Sequence, residues 1–313
     1  MGWVVLFPGQ GAQKAGMTKI WWENYRQETE EILGKASQIC GVDLLHLTLE
    51  GPEEELSLTF NAQPAILATS LLIWRIWQRE FSLPVDAVAG HSLGEYSALC
   101  AAGSIDFEEA IFLVRKRGEL MQEAIPPGEG AMVAVLGLPQ EKVENVVEEF
   151  SSGDKVEIAN INSSSEVVLS LSRSLLPQVV DRLKKEGSKK VVELKVSAPF
   201  HSSFMKEAAE KFSSLLQEIE IKPPRYRYVS NVNAQYVSRP EEIRDLLVKQ
   251  MFSPVRWKEV MDVLYRGESH QVWEMGPGTV LSKLFSREYP EVEVKNVNSW
   301  DGGRKENKEE KEK

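Results

Sequence analysis

Apolar residues occur along this chain in two textures, short runs and helical arcs, and the alternation between them predicts an α/β protein. Trp3-Val-Val-Leu-Phe7 is wholly apolar, the pattern of a strand buried on both faces. Residues 85–89 form a second short, β-like segment, and 228–232 and 271–275 two more. Between them the spacing predicts helices over 19–39 and 64–80. Pro64 is read as the opening residue of the second, where its missing N–H costs nothing. Gln63, just before it, is a polar residue read as lining a pocket or as a cap or loop residue. A helix follows from about 203 to 218, and another closes over 246–251, carrying Gln250.

From residue 130 the texture changes. Strands at 131–135, 156–160, 167–171 and 190–196 alternate with helices at 139–150 and 175–186. The order β-α-β-β-α-β is that of a small ferredoxin-like unit. It divides the chain into a large α/β domain of residues 1–129 and 198–300 and an insert of residues 130–197. The last stretch, 301–313, has five acidic and five basic side chains and almost nothing apolar, so a disordered tail is expected.

The helix predicted after Asp106 holds the first sign of chemistry. At about 100° per residue, Phe107, Ala110, Ile111, Leu113, Val114, Leu120 and Met121 share one broad face. Arg115 and Lys116 fall opposite with the glutamates and read as solvated charges, whereas Arg117 lands inside the apolar arc. A guanidinium there is either a structural or snorkelling ion, or an anion receptor whose fork matches a carboxylate. The second sign is Gly90-His91-Ser92-Leu93-Gly94, a G-x-S-x-G pattern between a predicted strand and an Ala/Leu-rich helix. There a serine rides a sharp turn at a helix N-terminus, which favours developing negative charge. The third is His201, placed at or just before a helix N-terminus, where the dipole keeps an imidazole neutral, as a general base requires; a structural histidine is the other reading. His91 is expected to point away from Ser92, and His46 and His270 to sit in loops or at strand edges.

Composition narrows the class. A length of 313 residues allows one large or two unequal domains, and a net charge of −10 argues against a nucleic-acid binder. Cys40 and Cys100 lack CxxC or CxxH neighbours, so neither a metal site nor a disulfide is expected. No apolar run spans a membrane and no leader pattern opens the chain, which reads as cytoplasmic. Pro8-Gly-Gln-Gly-Ala-Gln13 lacks the third glycine of a dinucleotide fingerprint, having Lys14 in its place; it serves instead to bring a backbone N–H beside the serine.

Taken together, Phe7-Pro-Gly-Gln-Gly-Ala-Gln13, Ala62-Gln-Pro-Ala65, Gly90-His-Ser-Leu-Gly-Glu-Tyr96, Arg117-Gly, Pro199-Phe-His-Ser202, Gln250 and Gly276-Pro-Gly278 resemble the malonyl-CoA:acyl carrier protein transacylases over about residues 3–298. The resemblance implies a hydrolase-like α/β domain with a central, mostly parallel sheet and a ferredoxin-like insert. It implies Ser92 as nucleophile, His201 as base and the N–H groups of Gln10 and Leu93 as oxyanion hole. By the same likeness Arg117 holds the malonyl carboxylate and Gln250 orients His201 through its main-chain carbonyl. Asn160 and Asn162 are expected near the substrate or the pantetheine arm. Asn162-Ser-Ser-Ser-Glu166 stands where the family commonly has Asn-Ser-Pro-x-Gln, which places a carboxylate, Glu166, near an anionic substrate. The implied partners are malonyl-CoA and acyl carrier protein, with no bound cofactor or metal. Rival readings are a serine esterase or thioesterase, an acyltransferase of a polyketide pathway, and a non-catalytic carrier-docking module.

Overall fold

A computed structural model describes residues 2–150, 155–267 and 271–297; His270 and the charged tail at 301–313 lie outside them. Among the described residues the strands are β1 (Trp3–Phe7), β2 (Val85–Gly90), β3 (Gly130–Leu136), β4 (Val156–Ser163), β5 (Glu166–Ser172), β6 (Lys190–Glu193), β7 (Arg227–Val229), β8 (Tyr236–Val237), β9 (Gln271–Glu274) and β10 (Glu293–Asn296). They form a six-stranded sheet of order β10-β9-β1-β2-β7-β8 and a four-stranded sheet of order β4-β5-β3-β6. In the larger sheet every pairing is parallel except β7 with β8. β1 is central and buried throughout, as an unbroken apolar strand in a parallel sheet must be.

The smaller sheet is antiparallel and is built wholly between Gly130 and Glu193. Its order, read from β6 as β6-β3-β5-β4, is that of a ferredoxin-like unit. β6 ends earlier than the predicted strand over 190–196. Leu194 N–H still donates to Met132 O of β3 at 2.9 Å, and Leu194, Lys195 and Val196 line a cavity on the way to His201.

Three local predictions need correction. Residues 19–39 form two helices, Lys19–Asn24 and Arg26–Cys40, because Tyr25 takes φ −139° and ψ 53°, outside the helical region. His46 lies in the short helix Leu44–Leu49, whose N-terminus is capped by Asp43. Pro64 does not open its helix, which runs from Thr59 to Phe81 with the proline inside. A proline there leaves the carbonyl four residues earlier, Phe60 O, without its helical donor. Arg115 supplies one: its Nη1 donates to Phe60 O at 3.1 Å and to Asn61 Oδ1 at 2.7 Å. Arg115 is therefore not the free surface charge its place on the helix suggested; its side chain is only 19% exposed.

The parallel sheet carries its connections to one edge. β1, β2, β7 and β9 all run the same way, so the turns after Phe7, Gly90, Val229 and Glu274 emerge together at their carboxyl ends. This is the edge where open α/β sheets bind ligands. His91 N–H donates to Phe7 O at 3.0 Å and Met275 N–H to Leu6 O at 2.8 Å, stitching three of those turns side by side.

Candidate active site

The elbow after β2 exists because two glycines let backbone pass where a side chain would collide. A Cβ on Gly90 would stand 1.9 Å from the Gly94 carbonyl carbon, and one on Gly94 would stand 2.1 Å from Phe7 O. Between them Ser92 is held at φ +51°, in the left-handed region that costs a side-chain-bearing residue about 1–2 kcal/mol. Asn231, in the turn after β7, holds it there. Its Oδ1 accepts from Ser92 N–H at 2.7 Å, and its Nδ2 donates to Gly90 O at 2.8 Å.

His201 arrives from the other direction, also at positive φ (+56°), ahead of a short 3-10 turn, Ser203–Met205, and the helix Lys206–Gln217. The smaller sheet fixes its loop: Ser170 of β5 donates to Phe200 O at 2.5 Å, and Glu157 of β4 accepts from Ser203 N–H at 2.9 Å. The imidazole Nε2 lies 2.7 Å from Ser92 Oγ, and Nδ1 lies 2.8 Å from Gln250 O. A carbonyl can only accept, so Nδ1 carries the proton and Nε2 is free to take one from the serine. Burial, and next the Arg117 charge, pull the His201 pKa from 6.5 down to about 3, against the upward pull of the Gln250 carbonyl. The helix N-terminus was the expected cause of a neutral ring; burial and Arg117 are the leading ones.

Arg117 is buried, 1% exposed, on the helix Phe107–Gln122. Its Nη1 donates to Gln63 Oε1 at 2.8 Å, and its Nη2 donates to Gln250 Oε1 at 2.8 Å and to Ser92 Oγ at 3.1 Å. The Tyr96 ring lies under the guanidinium, 5.5 Å from centroid to Cζ. All three acceptors are formally neutral, so the guanidinium makes no direct ion pair among the described residues. It opens onto a cavity of about 650 Å³ shared with Ser92 and His201. A fixed cation beside a nucleophile is a receptor for a substrate with an anionic group close to its reacting carbon.

Gln10, Asn160 and Asn162 line the same cavity, and Leu93 sits beside it at the N-cap of the helix Gly94–Ala101. Gln63 does not line the cavity: it is fully buried behind Arg117, with its amide nitrogen 3.8 Å from Met121 Sδ. Glu166 does not line the cavity. It accepts from Asn162 Nδ2 at 3.1 Å and stands 3.4 Å from Arg287, whose charge offsets its own. His91 contributes more than its position suggested, since it lines the cavity with Nε2 2.9 Å from Asn162 Oδ1. Burial keeps this ring neutral by lowering its pKa.

Two residues of the site escaped the sequence reading. One is Asn231, for which no local signal exists. The other is Glu95, 1% exposed in the first turn after the elbow. Burial pushes its carboxyl up to about 7, against the pull of Tyr228, Asn231, Gln250 and Arg117. A carboxylate inside an Ala/Leu-rich helix was the available clue. Among the described residues no group of three or more His, Cys, Asp or Glu is placed to hold a metal, and no helix is long and apolar enough to cross a membrane.

Known proteins resemble this chain over nearly its whole length. Residues 4–309 match the family model described as an acyl transferase domain. A malonyl CoA-acyl carrier protein transacylase of Haemophilus influenzae is 39% identical over 295 residues, covering 94% of each chain. The acyl carrier protein S-malonyltransferase of Vibrio cholerae superposes with a TM-score of 0.91 at 39% identity, covering 95% of this chain and 97% of that one. A malonyl-transacylase solved in complex with a type II PKS acyl-carrier protein does so with a TM-score of 0.91 at 39% identity, covering 95% of each. By family model, sequence and superposition alike, the chain belongs to the acyl transferase family, among the malonyl-CoA:acyl carrier protein transacylases.

Proposed function

We propose that this enzyme moves the malonyl group of malonyl-CoA to the phosphopantetheine thiol of acyl carrier protein through a malonyl ester on Ser92, supplying the extender unit of fatty acid synthesis. The observation that carries the reading is the contact of one serine Oγ with both His201 Nε2, at 2.7 Å, and Arg117 Nη2, at 3.1 Å. General base and anion receptor thus converge on one nucleophile. The Ser92 proton passes to His201 Nε2 as Oγ adds to the thioester carbonyl. The tetrahedral oxyanion is received by the N–H groups of Gln10 and Leu93. Collapse breaks the C–S bond, and the departing sulfur of CoA takes the proton back from His201. In the second half the pantetheine thiol gives its proton to His201, attacks the ester, and returns Ser92 to its protonated form. Gln250 O holds the Nδ1–H tautomer throughout, the part usually played by a carboxylate. Arg117 pairs with the malonyl carboxylate during both halves, and Asn160 and Asn162 line the path of the substrate arm.

Malonyl-CoA supplied with carrier protein should yield malonyl-carrier much faster than free malonate. Hydrolysis dominating in the presence of carrier would turn the reading to a thioesterase, for which Arg117 has no use. Arg117 gives the sharper specificity test. Truncating one member of a desolvated charge pair costs about 2–5 kcal/mol, and each 1.4 kcal/mol is a factor of ten. Arg117→Ala is therefore expected to lower kcat/KM for malonyl-CoA by roughly 30-fold or more. The acetyl-CoA value should move far less, because the uncharged acetyl group has no carboxylate for the guanidinium to bind. An unchanged malonyl-to-acetyl ratio, with both rates reduced together, would make Arg117 a structural ion.

A further inference from the structure

None of the proton transfers above uses Glu95, yet its buried carboxylate meets three separate elements. Oε1 accepts from the Tyr228 hydroxyl of β7 and, at 2.9 Å, from Asn231 N–H in the turn beyond it. Oε2 accepts from Gln250 Nε2, at the end of the helix Pro240–Gln250. The Gln250 amide is then fully committed. Its nitrogen also donates to Ser92 O at 2.8 Å, and its oxygen accepts from Arg117 Nη2 at 2.8 Å.

An amide has a donor end and an acceptor end, and rotating it by half a turn exchanges them. Seen from Arg117, only the acceptor end is tolerable, since the guanidinium has donors alone. The far side demands the same orientation, since the amide nitrogen donates there to two acceptors, Ser92 O and Glu95 Oε2. From this geometry we propose that Glu95 is a positioning residue that anchors the Gln250 amide and so keeps the Arg117 guanidinium aimed at the substrate carboxylate beside Ser92. The proposal rests on the malonyl-transfer reading and assigns a role to a side chain outside the Ser92–His201–Arg117 set.

The consequence is that a nearly isosteric replacement should be harmful. In Glu95→Gln the new amide can still accept from Tyr228 and Asn231 through its oxygen, which leaves its NH2 facing the NH2 of Gln250. Two donors cannot share that contact, and turning Gln250 over would only set its NH2 against Arg117 and its oxygen against Ser92 O, so the amide is pushed out of its native place. The guanidinium loses a well-placed acceptor, while Gln63 still holds it from the other side.

The test is kcat/KM for malonyl-CoA and for acetyl-CoA, with carrier protein as acceptor, in the native enzyme and in Glu95→Gln. The malonyl-to-acetyl ratio is expected to fall roughly tenfold or more, because burying an opposed polar group costs as much as a charge-assisted hydrogen bond. A purely structural role would lower both rates together and leave the ratio alone, and that result overturns the proposal. Gln250→Met probes the same joint from its other side and keeps the main-chain carbonyl that holds His201, so a Glu95→Gln protein that fails to fold does not end the test. It should lower the ratio to a similar degree, and where both variants fold the double variant should lose little more than either alone. An unchanged ratio in Gln250→Met contradicts the proposal as well. The native ratio separates the two claims: a native enzyme with no preference for malonyl refutes the function, whereas a native preference that both variants retain refutes only the role of Glu95.

Discussion

Ser92→Ala is expected to abolish malonyl transfer, with a loss on the order of 10³-fold or more, because no other group at the elbow can carry the acyl chain. The change is selective for chemistry. Asn231 binds the main chain of Ser92 and Gly90, so the elbow keeps its hydrogen bonds when Oγ is removed. The strained backbone adds a second expectation. Ser92 sits at φ +51°, and alanine inherits the strain whereas glycine does not. Ser92→Gly should therefore be as inactive as Ser92→Ala yet more resistant to denaturant, by about 1 kcal/mol. Parallel turnover assays and urea melts give both numbers. Turnover of the alanine variant within tenfold of native would remove Ser92 from the mechanism.

His201→Ala should slow acylation by 10²–10⁴, the usual worth of a positioned general base. The pH dependence is more diagnostic. With its pKa pulled to about 3, the ring of the empty enzyme is neutral across the neutral range. The kcat/KM profile for malonyl-CoA should therefore show no His201 limb near pH 6.5, and any loss from its protonation should come only in strong acid. The same depression has a sign for stability. Between pH 6.5 and about 3 the unfolded chain binds a proton that the folded site refuses, so stability falls as pH falls through that window. His201→Ala lacks this term and should lose less stability on acidification than the native enzyme. Denaturation midpoints of the two proteins at pH 7 and pH 4.5 check it; equal losses would show that His201 is not held neutral by its surroundings. When a malonyl carboxylate pairs with Arg117, the charge that helps lower the His201 pKa is offset. In the proposed reading, substrate binding would thereby raise the basicity of the ring at the moment it is needed.

What the sequence disclosed was whatever local chemistry determines. The elbow is written in five consecutive residues, because Gly90 makes room for Gly94 within the turn itself, although Gly94 also clears the Phe7 carbonyl of another strand. Arg117 stood out because a helical period exposes a charge placed on an apolar face. The antiparallel order of the smaller sheet follows from the succession of its strands and helices. What stayed hidden was assembled from distance. Glu95 meets Gln250 across 155 positions and Asn231 across 136, and no periodicity connects such residues. The placement of Pro64 misled for a related reason. A proline normally marks a helix start, but here Arg115, from a helix some fifty residues later, supplies the donor that Phe60 O would otherwise lack. Tertiary partners rewrote a local rule.

The central claim is that the acyl group rests on Ser92 between two substrates, and isolating that state tests it most directly. Native enzyme mixed with malonyl-CoA and no acceptor should gain the mass of one malonyl group, located by peptide mapping on the segment containing Ser92. Adding carrier protein to the purified adduct should move that mass to the pantetheine thiol and return the enzyme to its original mass. A malonyl group found on another residue, or transfer that proceeds only while both substrates are present and leaves no adduct, would contradict the account.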